Sequence, residues 1–231
     1  MQNYIYQDPQ SIDQRVSTVM RSVYLKMFLA LLVTTVSAFA ICMIPNLTYF
    51  LATHTWVYWG LLIVELIMVF SISGGVRSMS PGTASLLFYL YAALNGVVFS
   101  LIFCAYSFDS IFKTFLITAG TFGAMTAYGY LTGRDLTRIG SFLYMALFGL
   151  IIMLVVNLFW ENSTLEWIIS GAGVLIFIGL TAWDTQKIKQ WVGAGGYGDL
   201  SRIKTIGALT LYLDFINLFL YLLRFFGSSR D

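Results

Sequence analysis

Two acidic residues lie within the most apolar stretches of this sequence. Asp214 is in the middle of LTLYLDFINLFLYLLRFF, residues 209–226, and Asn217 follows it within one helical turn. Asp184 lies near the end of the preceding apolar stretch, in GLTAWDTQKIKQ. An ionised carboxylate in lipid costs at least about 2.5 kcal/mol, so such residues usually face a protein interior, a water-filled cavity or a partner. Both acids are therefore candidates for function.

Helix geometry predicts that the two acids lie at the same depth. Asp184 precedes the predicted helix end near Trp191 by roughly seven residues, and Asp214 follows the predicted helix start near Ile206 by roughly eight. Because consecutive helices run in opposite directions, a rise of about 1.5 Å per residue puts both carboxyls about 10–12 Å from one membrane face. They are expected to meet on adjacent helices.

Facing carboxyls at this depth would respond to pH. Like charges a few ångströms apart ionise together only at a cost, so the pair would share one proton and titrate as a unit. Its repulsion on full ionisation would open a closed bundle, and its hard oxygens suit Ca²⁺. We predict that Asp184 and Asp214 form a pH sensor or gate and are candidate calcium ligands. The structural alternative is that each acid only bonds a neighbouring helix, with Arg77 or Asn217 as its permanent partner.

Other polar side chains extend this candidate site. Glu65 lies about nine residues from either end of the second apolar segment, near the expected midplane of the bilayer. Glu65 and Asn217 are candidate residues of an ion pathway, and a protonated Glu65 hydrogen-bonded within the bundle is an equal alternative. Arg77 follows Gly74-Gly75 and would either snorkel to the membrane surface or turn inward toward the acid pair.

Composition places the chain in a membrane. Of its 231 residues, 58% are hydrophobic and 10% are charged, with a mean hydropathy of +0.80, whereas a soluble domain is about 25% charged. Apolar segments of the length that crosses a bilayer are predicted at about 24–44, 56–74, 84–104, 111–131, 140–160, 165–188 and 206–226. We therefore predict an all-α multi-pass membrane protein of seven transmembrane helices.

The predicted organisation is a single membrane domain. Residues 24–226 form the seven-helix domain, preceded by a cytoplasmic N-terminal segment, 1–23, and followed by a C-terminal tail, 227–231. With the N-terminus inside, ten of the 13 Lys and Arg residues fall in inner segments, as the positive-inside rule requires. The C-terminus would lie outside if the last segment crosses fully, and inside if that segment is re-entrant.

Several function classes receive no support from the sequence. The net charge of +2 is too small to indicate a nucleic-acid partner. Cys42 and Cys104 show no CxxC spacing, and the chain has a single histidine, His54, in a polar connector. These features argue against a disulfide framework and against a zinc site. No cofactor is predicted.

Small residues on the fourth apolar segment predict close helix packing. Ala119, Gly123 and Ala127 recur at four-residue spacing, with Gly129 and Gly133 beyond, the small-xxx-small pattern that lets membrane helices approach each other. We interpret this stripe as a packing seam within the bundle. A homodimer face is the alternative.

One motif suggests an enzyme. Gly196-Tyr197-Gly198-Asp199 spells the GxGD of intramembrane aspartyl proteases, which need two acids on adjacent membrane helices. The motif falls about seven residues before the apolar run begins, which leaves Asp199 at the cytoplasmic surface. At the surface, Asp199 cannot form the membrane-embedded acid pair that such a protease needs. We therefore expect the protein not to be an enzyme.

The last two apolar segments resemble a known family. AWDTQKIK at 182–189 and LYLDFINLFLYLLRFFG at 211–227 are similar to the Bax inhibitor motif family of multi-pass membrane proteins. The resemblance implies a seven-helix fold in which the central last helix is surrounded by the other six. It also implies a pH-dependent Ca²⁺ leak and, in eukaryotic members, protection against cell death.

The resemblance also assigns residues. The paired aspartates of the family, its pH sensor, correspond to Asp184 and Asp214, its arginine latch to Arg77, and its acid on the second helix to Glu65. Trp183 stands where many relatives have tyrosine, so the hydrogen bond of that hydroxyl is replaced or lost.

The leading functional hypothesis is a pH-sensitive calcium leak channel gated by the proton-sharing pair. Its expected partners are the lipid bilayer, calcium ions and protons. The short N-terminal tail resembles bacterial members, which indicates a bacterial inner membrane rather than an organelle membrane. Some bacterial relatives are linked to regulation of a membrane-bound protease, so a regulatory protein that binds a membrane protease or a cell-death partner is the alternative.

Overall fold

The computed structural model describes residues 9–76, 78–160, 162–193 and 200–228. The elements within these residues are eight α-helices, with no β-strand among them. In chain order they are α1 (Pro9–Cys42), α2 (Pro45–Thr53), α3 (Thr55–Gly75), α4 (Pro81–Ala105), α5 (Phe108–Leu131), α6 (Thr137–Trp160), α7 (Ser163–Gly193) and α8 (Leu200–Phe226).

Six helices in the described part of the chain are long and apolar enough to cross a membrane. They are α1, α3, α4, α6, α7 and α8. The remaining long helix, α5, has 24 residues but carries Asp109 and Lys113 in its first turns together with many small and hydroxyl residues. The all-helical multi-span architecture is therefore confirmed, whereas a seventh span formed by α5 remains a prediction.

The last helix is the centre of the bundle. α8 packs extensively against α1, α4, α5 and α7, and nearly every turn of it carries buried side chains. α3 packs mainly on α4, and α6 packs mainly on α7. The central position of the last helix follows the prediction, but its extensive direct neighbours are four helices rather than six. α3 and α6 form an outer layer.

α8 runs through the whole bundle without a break. Near its start, Thr205 accepts a hydrogen bond from Lys26 of α1 at 2.9 Å. Beyond its end, the Ser228 amide donates to Ser110 of α5 at 3.0 Å, and Arg224 lies 3.8 Å from Glu166 of α7. A continuous helix of 27 residues is about 40 Å long. This geometry fits a full crossing and disagrees with a re-entrant last segment.

The first helix is longer than the sequence predicts. α1 begins at Pro9, so most of the predicted N-terminal segment, 1–23, is helical and continuous with the first span. A buried stripe at helical spacing explains the difference: its members are Val16, Val19, Met20, Val23 and Met27. Polar residues between them hide this stripe from a search for continuous apolar runs.

The connector after α1 contains a short helix that the sequence analysis did not predict. α2 starts at Pro45, where a missing amide proton is harmless in the first turn. His54 separates α2 from α3, is partly exposed and places Nδ1 3.0 Å from the Phe50 carbonyl oxygen. The predicted polar connector around His54 is thus confirmed in place.

α1 and α4 lie side by side and run in the same direction. Thr34 donates to the Ala92 carbonyl at 2.9 Å, and Ser37 donates to the Ala93 carbonyl at 2.8 Å. A side chain on Gly96 would overlap the α1 backbone, so the glycine permits this close approach. At the end of the same interface, the sulfurs of Cys42 and Cys104 are 3.1 Å apart.

The predicted packing seam on α5 is confirmed only at two of its residues, Ala119, which packs against the core, and Gly129. Gly123 and Ala127 are exposed, and a side chain on Gly123 would meet nothing within 4 Å. The close approach occurs on another face, where Gly129 lies against the Ala182 backbone of α7. Small-residue spacing shows that a helix can pack closely. It does not show which face packs, because α5 carries small residues on more than one face.

Replacing Gly129 by alanine should destabilise the bundle. The added Cβ would overlap the Ala182 carbonyl, and overpacking of this kind costs about 1–3 kcal/mol. Gly123→Ala on the same helix is the matched control, because it adds the same group in open space. Thermal unfolding in detergent micelles should show a lower midpoint for Gly129→Ala alone. Equal midpoints for the two variants would contradict the observed α5–α7 contact.

Candidate functional site

The two predicted acids meet at the α7–α8 interface. Asp184 is 2% exposed and Asp214 is 4% exposed, and their carboxyl groups are within electrostatic range of each other. Both helices keep their backbone hydrogen bonds through this region, so the acids are presented by rigid elements. The structure thus brings together the two residues on which the sequence-based hypothesis depends.

Contacts along the interface fix the relative depth of the acids. Ile188 packs against Gly207, and Gly173 packs against the ring of Tyr221, which shows that α7 and α8 are antiparallel. Interpolation between these contacts puts Asp184 opposite a position about three residues before Asp214, a difference of roughly 4–5 Å along the helix axis. Asp214 is therefore slightly deeper in the bundle than Asp184.

A lysine completes the charge cluster. The Lys187 ammonium is 3.6 Å from an Asp184 carboxylate oxygen and one helical turn further along α7. It also lies within electrostatic range of Asp214. The lysine side chain is 29% exposed, whereas that of Asp184 is 3% exposed, so the cation lies between the buried acids and the rim of the bundle. Two potential negative charges thus share one fixed positive charge.

Aromatic rings surround the Lys187 ammonium. It lies 4.5 Å from the Trp183 ring centre, 5.1 Å from that of Trp191 and 5.7 Å from that of Tyr144. Cations are attracted to aromatic faces at these distances. The rings hold the ammonium beside Asp184 and limit its exchange with solvent.

The tryptophan that departs from the family pattern has a defined place. Trp183 packs on Gly140 of α6, where the lack of a side chain leaves room for the indole. Its ring also contacts Tyr144 of α6 edge to face, at 5.1 Å between centres. Tyr144 lies within electrostatic range of both Asp184 and Asp214. Tyr144 of α6 therefore lies near the acid pair, although the residue immediately before Asp184 is a tryptophan.

Each acid retains an unsatisfied oxygen. Asp184 Oδ1 and Asp214 Oδ2 have no hydrogen-bond partner among the described residues, although Asp184 Oδ1 is the oxygen that lies 3.6 Å from the Lys187 ammonium. Buried acceptors are normally paired, because leaving one unpaired costs about 1–3 kcal/mol. A shared proton, a water molecule or a cation would satisfy these oxygens. The described residues contain no group of three or more His, Cys, Asp or Glu side chains positioned to hold a metal ion.

The structure places Asn217 in a contact within its own helix. The Asn217 amide donates one of its two hydrogens to the Leu213 carbonyl of its own helix at 2.8 Å. Arg77 lies outside the described residues, and its assignment as a latch remains a prediction. Asp199 of the GxGD motif also lies outside them.

Glu65 belongs to a second polar cluster. It is 8% exposed, and it lies within electrostatic range of Tyr91 on α4 and Tyr212 on α8. The Tyr212 hydroxyl is 2.7 Å from that of Thr34 on α1. Tyr212 and Asp214 are two residues apart and therefore point to nearly opposite sides of α8. The structure does not bring Glu65 together with the aspartate pair.

Sequence reasoning missed most of the groups that surround the acids. Lys187 has no role in the sequence-based hypothesis, although its spacing three residues after Asp184 indicates a neighbour on the same helix face. The buried hydroxyl of Thr185 lies close to those of Tyr24 and Thr126, which come from α1 and α5. No local pattern connects residues so far apart in the chain.

Known proteins share this sequence over nearly its full length. The profile of the family described as "Inhibitor of apoptosis-promoting Bax1" matches residues 16–231. This range includes both acids and all of the long helices around them except the first turns of α1. The chain belongs to the Bax inhibitor family.

Relatives in the Bax inhibitor family include bacterial membrane proteins. The inner membrane protein YbhL of Escherichia coli K12 is 42% identical over 216 residues, which are 92% of each chain. An uncharacterized protein of Rickettsia prowazekii is 42% identical over 222 residues, 96% of this chain and 94% of its own. An uncharacterized membrane protein of Streptococcus pyogenes is 42% identical over 186 residues, 80% of each chain. Membership in this family, together with the six apolar helices, identifies an integral membrane protein of several spans.

Removing the lysine charge should destabilise this Bax inhibitor family protein. Lys187→Met leaves Asp184 buried without its cation, and the loss should amount to about 1–3 kcal/mol, between the values for exposed and buried pairs. Lys113→Met is the control, because it breaks a pair with Asp109 that is 69% and 71% exposed. Thermal unfolding of the purified protein measures both effects.

A double variant separates the charge from packing. Adding Asp184→Asn to Lys187→Met removes the unpaired acid and should recover part of the lost stability. Simple additivity of the two single effects would contradict an ion pair between the two side chains.

Proposed function

We propose that this protein is a proton-sensitive calcium leak pathway whose gate is the Asp184–Asp214 pair. The observation that supports the proposal is the meeting of two buried carboxyls and one lysine at the interface of α7 with the central helix. Membrane-embedded acids are costly and usually serve ion or proton movement. The same family is associated with a pH-dependent Ca²⁺ leak, as the resemblance in sequence implies.

The charges of the cluster define a closed state. Lys187 contacts Asp184, which stabilises the ionised form of this acid, while Asp214 lies deeper and takes the proton. The cluster then carries no net charge, which is the least costly arrangement in an apolar bundle. In this state α7 and α8 remain in contact, and no free carboxylate pair is available to a cation.

Loss of the proton changes this balance. Two ionised acids and one lysine leave a net negative charge at the α7–α8 interface, and the repulsion between the acids favours separation of the helices. A divalent cation would neutralise the excess charge through hard oxygen ligands. We therefore assign Asp184 and Asp214 as transient ligands of the passing ion and not as a resident metal site. Resident cofactors and a catalytic function form no part of the proposal.

The calcium flux of reconstituted protein should rise with pH. In liposomes that contain a fluorescent calcium indicator, deprotonation of the pair should increase the flux by up to about tenfold per pH unit, the limit for one proton. Asp214→Asn retains the size of the side chain but cannot ionise, so it should give a low flux that no longer depends on pH. Asp184→Asn should also change the pH profile.

Asp109→Asn is the matched control, because Asp109 is an exposed acid on α5 outside the cluster. Its flux and pH profile should equal those of the wild type. Identical profiles for the wild type and all three variants would contradict the gate. A protein without any flux that co-purifies with a membrane protease or another membrane protein would instead support the regulatory alternative.

A further inference from the structure

Cys42 and Cys104 are neighbours at the ends of two different helices. Cys42 is the last residue of α1, and Cys104 is the penultimate residue of α4. Their sulfurs are 3.1 Å apart, although 62 positions separate the residues in sequence. Both side chains are partly exposed. The lack of CxxC spacing argues against a disulfide framework within a short segment. It does not exclude a disulfide between cysteines that two parallel helices bring together.

The helix pair holds the cysteines in register. Thr34 and Ser37 of α1 donate to successive carbonyls of α4, and the contact at Gly96 keeps the two backbones close. These contacts lie within about two to three turns of the cysteines, so the thiols meet without any movement of the helices. Formation of a disulfide requires the sulfurs to approach by only about 1 Å, which side-chain rotation provides.

We propose that Cys42 and Cys104 form a disulfide that joins the outer ends of α1 and α4. In the predicted orientation, with the N-terminus inside, both helices end at the outer face of the membrane. The relatives from Gram-negative bacteria include an inner membrane protein, whose outer face would meet the periplasm. Thiols that are exposed to this oxidising compartment form and keep disulfides, whereas cytosolic thiols stay reduced.

The oxidant is a disulfide of the compartment, either on an exchange protein or in oxidised glutathione. One cysteine loses its proton and attacks a sulfur of this disulfide, which releases one thiol and leaves a mixed disulfide. The second cysteine then attacks the mixed disulfide, forms the Cys42–Cys104 bond and releases the second thiol. The protein loses two electrons and two protons, and the oxidant is reduced to two thiols.

The bond would constrain one side of the bundle. It closes a ring that contains α2, α3 and most of α4, together with Glu65 and Tyr91. It also fixes α1 and α4, two of the helices that contact α8 directly, at the end opposite Lys26. The aspartate pair lies between α7 and α8, outside this ring. The bond therefore involves no residue of the proposed gate.

Mass spectrometry of the full chain in native membranes tests the proposal. Cells are quenched in acid, the membranes are alkylated with N-ethylmaleimide without prior reduction, and the protein is digested. We expect one peptide pair that joins Cys42 to Cys104 within a single chain and is lost after treatment with dithiothreitol. Recovery of both cysteines as alkylated peptides, or of disulfides between two chains only, would overturn the proposal.

A shifted cysteine provides the matched control. Cys104→Ser combined with Phe103→Cys moves the thiol by about 100° around α4 and should abolish the cross-link. An equally abundant cross-link in this variant would show that the observed side-chain geometry does not select the pair. The result for the wild-type chain does not depend on the folding of the variant.

Discussion

The cost of burying charge in an apolar bundle governs the arrangement around α8. Asp184 and Asp214 lie where water is largely excluded, and the half-buried Lys187 beside them supplies the positive charge that an ionised buried acid needs. Packing the last helix at the centre excludes the water, and pairing it with α7 supplies the second acid and the lysine. The rest of the bundle therefore has one electrostatic requirement, which is to keep α7 and α8 in contact at this level.

Close backbone contacts meet that requirement. α5 reaches α7 through Gly129, α1 reaches α4 through Gly96, and α6 accepts Trp183 on Gly140. In a membrane the lipid tails are as apolar as the side chains, so helices associate through packing and hydrogen bonds rather than through the hydrophobic effect. Glycine at these three positions allows that packing. Gly120, Gly123, Ala124 and Ala127 of α5 face outward and contribute nothing to it.

Much of this architecture could be predicted from the sequence, for identifiable reasons. Apolar runs of spanning length gave most of the long helices, and the matching positions of Asp184 and Asp214 in consecutive runs predicted their meeting. The helical start of α1 was missed because polar residues separate its buried valines, so that no continuous apolar run marks it. The tyrosine near the acids and the second cluster around Glu65 were missed because Tyr144, Tyr91 and Tyr212 come from helices whose rotation no local pattern defines. The depth of a residue in the membrane can be estimated by counting along its helix. Which faces of distant helices pack together cannot be estimated in this way.

The position of Trp183 connects the acid pair to the surface of the protein. Its indole fills the gap over Gly140, and its neighbour Tyr144 completes the aromatic enclosure of Lys187. Both contacts belong to α6, an outer-layer helix whose side chains, such as Phe142 and Phe148, are largely exposed and would face lipid. Any tilt of α6 that follows a change in bilayer thickness would therefore displace the walls around the ammonium. The charge cluster is mechanically joined to the membrane in which the protein lies.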